Sequence, residues 1–394
     1  MSSRTDTTTS QGWTPTVLAG VITAVVGFTS SFAVVLTGLR TVGADATEAA
    51  SGLLVVTVTM GVGCALFSWL TRQPVTMAWS TPGAALLAGA ATPEGGWPTA
   101  VGAFALAGVL YGLTALIAPL GRWVAAIPSS LANAMLAGVL LQLCLAPFVA
   151  LPDEPAAIAP VIAVWALGQR FFRQWAVPAA FATALVVIVV SGSLTDVEHG
   201  HLSPVLTWTT PQLDVPTLVA IGLPLYLVTM TSQNIPGTAV LKSFGYVAPV
   251  RPVLAYTGAV GVATAPLGAF SINLGALSAA ISAGPSAHPD PARRWVAGVS
   301  AGTTYLLMAP FAAAVAAVAV AAPTGLVAAV AGLALLGAFG NATASALADT
   351  DHRESAALTF VVAASGLTVA GVGSAFWALL AGGAYLLLVT RRAG

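Results

Sequence analysis

Two short segments, Ala78-Trp79-Ser80-Thr81-Pro82-Gly83-Ala84-Ala85-Leu86 and Ala269-Phe270-Ser271-Ile272-Asn273-Leu274-Gly275-Ala276-Leu277, repeat one pattern 191 residues apart in a chain that is otherwise almost wholly apolar. In each copy a polar break (Ser80-Thr81-Pro82; Ser271 to Asn273) interrupts an apolar stretch, and the next Pro or Gly cluster follows soon after. About ten helical residues fit between, and they rise about 15 Å, half of the hydrocarbon core of a bilayer. Two half-helices in corresponding positions of two halves point to a duplicated carrier architecture with its binding site at the membrane midplane.

Composition excludes the competing classes. Of 394 residues, 57% are hydrophobic and 7% charged, whereas about a quarter of a soluble domain is charged. The chain is an all-α polytopic membrane protein. Its net charge is zero, so there is no basic surface for nucleic acid. Cys64 and Cys144 sit inside apolar runs and read as buried, inert thiols. No span carries a His/Glu metal motif or an activated nucleophile, and no Walker-type loop is present, so enzymatic chemistry, a metal, a cofactor and coupling to ATP are not expected. The polar, Ser/Thr-rich residues 1–15 read as a disordered cytoplasmic tail.

Hydropathy, punctuated by Pro, Gly and charge, predicts spans at 16–40, 48–71, 78–91 (short), 99–121, 126–150, 156–170 and 175–194. A second set falls at 215–242 (broken near Pro236), 252–267, 270–284 (short), 292–321, 324–347, 355–372 and 374–391. With the N-terminus in the cytoplasm, Arg4, Arg72, Arg122, Arg170, Arg173, Lys242, Arg251, Arg293, Arg294, Arg353, Arg391 and Arg392 lie inside and only Arg40 outside. Seven is odd, so the second half enters from the opposite side and the repeat is inverted. Outer loops then hold Asp45, Glu48, Glu94, Asp153, Glu154, Asp196, Glu198 and Asp214; His199 and His201 among them read as solvated loop rather than a metal site. Asp290-Pro291 reads as an N-cap with Pro at the first helical position, and Asp351 with Glu354 as a capping box.

Thr81 is placed to cap a helix beginning at Pro82, with Val75 to Ser80 extended before it. In the second copy Leu267 to Ile272 is extended and Asn273 or Ser271 caps. Extended backbone at membrane depth is tolerated only inside protein or beside a wet cavity, and two helix N-termini facing one space favour an anion. A second polar cluster, Thr229-Met230-Thr231-Ser232-Gln233-Asn234-Ile235-Pro236-Gly237, lies inside the eighth span, where Pro236 disfavours helix at Ile235. Its counterpart in the first span is Phe28-Thr29-Ser30-Ser31. No Asp, Glu, Lys or Arg falls inside any span near these clusters, so an anion would be held by helix ends, hydroxyls and amides. The candidate substrate-binding residues are Ser80, Thr81, Gly83, Ser232, Gln233, Asn234, Ser271 and Asn273, with Phe28, Trp79 and Phe270 as aromatic lining beside Tyr226. The plainer alternatives are polar groups that join helices and aromatic rings that only pack.

At these residues the chain resembles the benzoate/proton symporter family, the bacterial benzoate transport proteins. The resemblance covers essentially the whole length. It rests on Thr231-Ser232-Gln233-Asn234-Ile235-Pro236-Gly237, on Ser271-Ile272-Asn273-Leu274, and on Ala283-Gly284-Pro285 followed by His288-Pro289-Asp290-Pro291-Ala292-Arg293-Arg294. It implies a nucleobase-transporter-like fold of seven plus seven inverted spans. After the 1–15 tail, residues 16–122 and 215–321 would form a core domain, 123–194 and 322–394 a gate domain, and 195–214 an extracytoplasmic loop. Related nucleobase carriers hold substrate with glutamates in spans eight and ten; here those regions offer Gln233, Asn234 and Asn273, which argues against a nucleobase.

The function implied is a secondary active transporter of the cell inner membrane, both termini cytoplasmic. It would import benzoate or a similar aromatic carboxylate in symport with a proton, by alternating access of core against gate. Its partners would be that small anion, a proton and the lipid bilayer, with a homodimer as one option for assembly. A carrier for another small organic or inorganic anion or a nucleobase, and an anion channel, are the alternatives. With no carboxylate at depth, the proton either travels on the substrate as the neutral acid or uses a group near the inner surface, Asp349 or His288.

Overall fold

The computed structural model describes residues 12–192, 203–369 and 372–390. The expectations for Arg4, Asp196, Glu198, His199, His201, Arg391, Arg392 and most of the 1–15 tail lie outside the described residues. Of that tail, Thr14 and Pro15 already belong to the first helix, because Pro15 supplies a favoured start in the first turn.

The elements are α1 (Thr14–Thr41), α2 (Ala46–Thr71), β1 (Met77–Trp79), α3 (Thr81–Ala88), α4 (Trp97–Leu116), α5 (Ala118–Ala125), α6 (Ser129–Ala150), α7 (Pro155–Phe171) and α8 (Ala176–Val190). The second half runs through α9 (Val215–Thr217), α10 (Leu223–Thr229), α11 (Ile235–Ser243), α12 (Val250–Thr264), β2 (Ile272–Leu274), α13 (Ala276–Ala283), α14 (Trp295–Met308), α15 (Ala312–Ala321), α16 (Leu326–Ala348), α17 (Arg353–Ala364) and α18 (Ser374–Thr390). Among the described residues eight helical stretches are long and apolar enough to cross a membrane, the composite ones being Arg173–Val190, Val215–Ser243 and Pro291–Ala321. Pro155–Phe171 and Ser374–Val389 are shorter apolar helices. The protein is a mostly helical polytopic membrane protein.

Local chemistry explains where helices begin. Asp45 and Glu48 form a reciprocal capping box at α2, Asp45 Oδ1 accepting from the Glu48 N–H at 2.8 Å and Glu48 Oε2 from the Asp45 N–H at 2.9 Å. Asp290 caps the 3-10 turn Pro291–Arg293 through the Ala292 N–H, as its sequence suggests. Asp351 does not cap α17: His352 holds that position without a side-chain capping bond, its Nδ1 lying instead 2.6 Å from Asp349 Oδ2. Burial pushes the Tyr246 phenol up, in the loop where its hydroxyl donates to the Pro291 carbonyl.

Three spans differ from their expected limits. The 99–121 span stops at Leu116 and restarts as α5, because Pro119 has no N–H to continue the ladder. The 355–372 span is helical only to Ala364, and Gly366 then turns at φ 67°. The 215–242 span is not broken at Pro236. It stays helical through two π-turns, Leu218–Gly222 and Met230–Asn234, and Ile235 itself is helical at φ −65°, ψ −51°. In the second turn the Ile235 N–H reaches back five residues to Met230, so the ladder widens one turn ahead of a proline that donates nothing.

Two helix crossings depend on missing side chains. A methyl group on Gly302 of α14 would lie 2.5 Å from the Gly61 carbonyl oxygen and 2.6 Å from the Ala65 nitrogen of α2. One on Gly258 of α12 would lie 2.5 Å from the Gly112 nitrogen of α4. Backbones this close gain dispersion contact where lipid offers no hydrophobic drive. α6 packs on α16 and α17, α7 on α8, and α17 on α18.

Candidate functional site

The two half-helices are joined at their roots. β1 and β2 pair antiparallel, Met77 opposite Leu274, Ala78 opposite Asn273 and Trp79 opposite Ile272. The Ser80 N–H donates to the Ser271 carbonyl (3.1 Å) and the Gly275 N–H to the Thr76 carbonyl (3.0 Å), so the ladder extends one bond beyond each strand. Extended backbone deep in the chain is thus satisfied within the protein. The structural repeat is not in the register the sequence suggests. Met77 to Ile272 and Thr81 to Ala276 are both steps of 195 residues, four more than the separation of the matching letters. Trp79 therefore corresponds to Leu274, and Ser80 to Gly275.

This shift rearranges the expected caps. Ser80, not Thr81, is the N-cap of α3; its Oγ accepts from the Gly83 N–H at 3.0 Å, and Thr81 and Pro82 occupy the first two helical positions. α13 begins after Gly275 with no side-chain cap at all. Asn273 sits in mid-strand, fully buried, its Nδ2 donating to the Leu274 carbonyl (2.8 Å) and its Oδ1 without a partner. Ser271 does not cap either: its Oγ lies 2.9 Å from the Tyr111 hydroxyl of α4. The extended stretch before β2 is shorter than expected, since Leu267 belongs to the 3-10 turn Ala265–Leu267 and Gly268 reverses the chain at φ 88°.

Around the paired strands the structure gathers most of the candidate residues. The Trp79 indole donates to Ser31 Oγ (2.8 Å) and its ring lies 5.3 Å from Phe28; the Thr81 hydroxyl donates to the same Ser31 oxygen at 3.3 Å. Ser80 Oγ lies 2.6 Å from Thr229 Oγ1. Gly83 admits no side chain, since a methyl group there would lie 2.6 Å from Leu225 Cδ1 and 2.7 Å from Ser80 Oγ. Asn234 is buried and its Oδ1 accepts from the Leu274 N–H (3.0 Å), tying the π-turn to β2. Ser232 has a buried hydroxyl without a partner, and Gln233 is half-buried beside it. Phe270 stands apart from the other aromatic candidates: it is buried against Phe104 of α4, with ring centroids 6.4 Å apart. Tyr226 likewise turns to Thr114 of α4, at 2.5 Å.

The two N-termini are unequal. In α3 the Gly83 N–H is taken by Ser80, the Ala84 N–H by the Ser80 carbonyl, and Pro82 has none, which leaves the Thr81 N–H. In α13 the N–H groups of Ala276 and Ser278 have no partner among the described residues, and Ser278 Oγ is buried without one. Unpaired donors at a helix start carry the positive end of the helix dipole. Residues missed by sequence reasoning are Tyr111 and Ser278. Tyr111 lies in an unbroken apolar run that gives no sign of it, whereas Ser278 follows Gly275 by three residues, the N3 position of a helix start.

Outside the spans, the Thr217 hydroxyl and N–H hold the Asp214 carboxyl below the usual aspartate range, and His352 does the same for Asp349. Asp349 is half-exposed in this pair. His288 is buried, with Nδ1 accepting from the Asp290 N–H (2.9 Å) and Nε2 unpartnered. Arg294 beside it is buried too, donating to the carbonyls of His288 (2.7 Å) and Ala283 (2.8 Å). Both cysteines are buried and free. Among the described residues no cluster of His, Cys, Asp and Glu could hold a metal ion.

Comparison with known proteins gives consistent matches. Residues 11–388 match the family described as benzoate membrane transport protein, BenE. The inner membrane protein YdcO of Escherichia coli K12 is 38% identical over 378 residues, covering 94% of each chain. A benzoate membrane transport protein of Acinetobacter baylyi is 31% identical over 334 residues, 82% of each. Among solved structures, the transmembrane domain of a cyanobacterial bicarbonate transporter, BicA, superposes with a TM-score of 0.58 at 16% identity, covering 93% of this chain and 96% of that one, and so shares the fold.

Proposed function

This chain belongs to the benzoate membrane transport protein family, and we propose that it is a secondary carrier importing benzoate or a similar aromatic carboxylate together with a proton. Membership makes it a membrane transporter. The finer reading is fourteen membrane segments in two inverted sets of seven, with α1–α4 and α9–α15 as a core moving against a gate of α6–α8 and α16–α18. Supporting it, two of the helix crossings have counterparts under exchange of the halves: α2 on α14 mirrors α12 on α4, and α7 on α8 mirrors α17 on α18. The antiparallel pair of Ala78 with Asn273 lies where an axis between the halves would pass.

The observation that carries the substrate reading is the uncapped start of α13. Ala276 and Ser278 offer free N–H groups, and the Ser278 and Ser232 hydroxyls are buried without partners. The Ala276 and Ser278 donors suit one carboxylate group, bound by hydrogen bonds and a helix end with no cation beside it. Asn273 Oδ1 adds an unpartnered acceptor, and its orientation is fixed because Nδ2 is engaged. An acceptor in that place suits the O–H of the protonated acid, so the proton would cross on the substrate, which avoids most of the cost of burying an anion. The Trp79 indole shares Ser31 Oγ with the Thr81 hydroxyl, and the Phe28 ring lies beside that indole.

Uptake of labelled benzoate into proteoliposomes under an imposed pH gradient tests the reading. We expect saturable uptake that increases when the outside is made acidic; non-saturable flux would make the protein a channel, and no benzoate flux would remove the substrate. Asp349→Asn and His288→Ala test the proton's route. If either abolishes gradient-driven uptake but leaves benzoate exchange intact, the proton binds the protein and the neutral-acid route is wrong.

A further inference from the structure

Four residues one helical turn apart, Phe28, Phe32, Leu36 and Arg40, form a line along α1 from the half-helix to its C-terminal end. Phe28 touches Trp79, Phe32 stacks on Phe28 at 5.9 Å and meets Phe181 of α8 edge-on at 4.5 Å. Two adjoining cavities follow this line. The deeper one, about 280 Å³, is walled by apolar residues alone, among them Phe32, Phe181, Ala184, Phe311 and Val330. The second, about 310 Å³, is bounded by Leu36, Thr37, Arg40 and Thr41 of α1 and by Thr324 and Gly325. Ala319 and Val327 line both. Arg40 is exposed, and among the described residues its guanidinium has no ion pair or hydrogen bond. α16, opening after Gly325 without a side-chain cap, turns its positive end to the same space.

We propose that these cavities are the outward access route for the carried molecule, with Arg40 drawing the carboxylate to the mouth, where its proton joins it, and the apolar room receiving the ring on its way to Phe28 and Trp79. The inference rests on the carrier reading and on the orientation that puts Arg40 outside. Its chemistry is selective for a molecule with one charge and one ring. A small inorganic anion gains nothing from the deeper cavity, and a neutral aromatic gains nothing from Arg40. An exposed cation contributes weakly as a pair but raises the local concentration of anions, and salt screens it.

Two measurements on the full chain in proteoliposomes test this. Arg40→Gln should raise KM for external benzoate by about threefold, the scale of one exposed charge pair, with turnover kept, and should flatten the rise of KM with salt; Arg40→Lys should restore both. Ala319→Cys should react with a bulky maleimide, lose uptake on reaction, and be protected by benzoate, while Cys64 and Cys144 are buried and add little background. If wild-type protein neither carries nor binds benzoate, the carrier reading fails and the route falls with it. If wild-type protein carries benzoate but Arg40→Gln keeps the wild-type KM and salt dependence, or benzoate does not slow the Ala319→Cys reaction, the route is overturned alone. The space is then a seat for lipid chains, and the carrier reading stands.

Discussion

The half-helices α3 and α13 have the same length and the same strand before them, yet one closes its N-terminus and the other leaves it open. α3 spends its own serine and proline on the first turn: Ser80 holds the Gly83 N–H, and Pro82 has no N–H to satisfy. α13 starts after a glycine and, among the described residues, leaves the Ala276 and Ser278 donors free. The first start is tied down through Ser80, Thr229 and the Trp79–Ser31 bond, while the second keeps the positive end that the proposed carboxylate site requires.

The substitution that should break this difference most strongly is Ala276→Pro. It deletes one free N–H at a position where proline suits a helix start, and Gly275 before it is already extended at ψ 118°. Benzoate affinity should fall by about 1–3 kcal/mol, the scale of leaving a buried hydrogen-bonding group of the ligand unpaired, with little change in melting temperature; titration calorimetry on detergent-solubilised protein measures the first and a thermal melt the second. Asn273→Ala should cost about 1–2 kcal/mol of affinity, since it unpairs the Leu274 carbonyl and removes the Oδ1 acceptor. An unchanged Kd in Asn273→Ala together with Ser278→Ala would move the carboxylate away from α13.

The reverse holds for α3. Ser80→Ala should lower thermal stability by about 1 kcal/mol, the usual value of a lost N-cap, and leave benzoate affinity near wild type; a loss of affinity without a loss of stability would make the two ends equivalent. The smallest effect should come from pH. Neither half-helix uses a titratable side chain, so binding of a permanently charged analogue such as benzenesulfonate should stay flat between about pH 5 and 8. Asp214 and Asp349 do not disturb this, because their partners hold both carboxyls below the ordinary range. Their contribution to stability is complete above the unfolded aspartate value near about 4 and is lost only as pH falls through the lower folded value. A slope in the sulfonate data would reveal a protein group in the site.

The membrane class, the positions of most helices and the half-helix pair were legible in the sequence, because a polar break in a long apolar run is costly in lipid and persists only where protein or water surrounds it. Register was not. The matching letters Ala78-Trp79-Ser80 and Ala269-Phe270-Ser271 invite an alignment that the strand pairing shifts by four residues, since pairing is decided by backbone bonds and burial rather than by the letters. This is why Phe270 packs on Phe104 instead of beside Trp79, and why Ser271 meets Tyr111 instead of capping α13. Pro236 misled for a different reason. A π-turn absorbs a proline without a break, and no sequence pattern distinguishes that outcome from a kink.

The pairing of Met77–Trp79 with Ile272–Leu274 also dictates an order of events during synthesis. When Trp79 leaves the ribosome its strand has no partner, and none exists until Leu274 follows, 195 residues later. At about 5–20 residues per second that interval is about 10–40 s. An unpaired extended segment is not tolerated in lipid, so Val75 to Ser80 must wait inside the insertion machinery or in water while the intervening helices assemble. The first half of this protein cannot complete the strand pair by itself, and truncated chains ending before Leu274 should be cleared by the cell rather than accumulate.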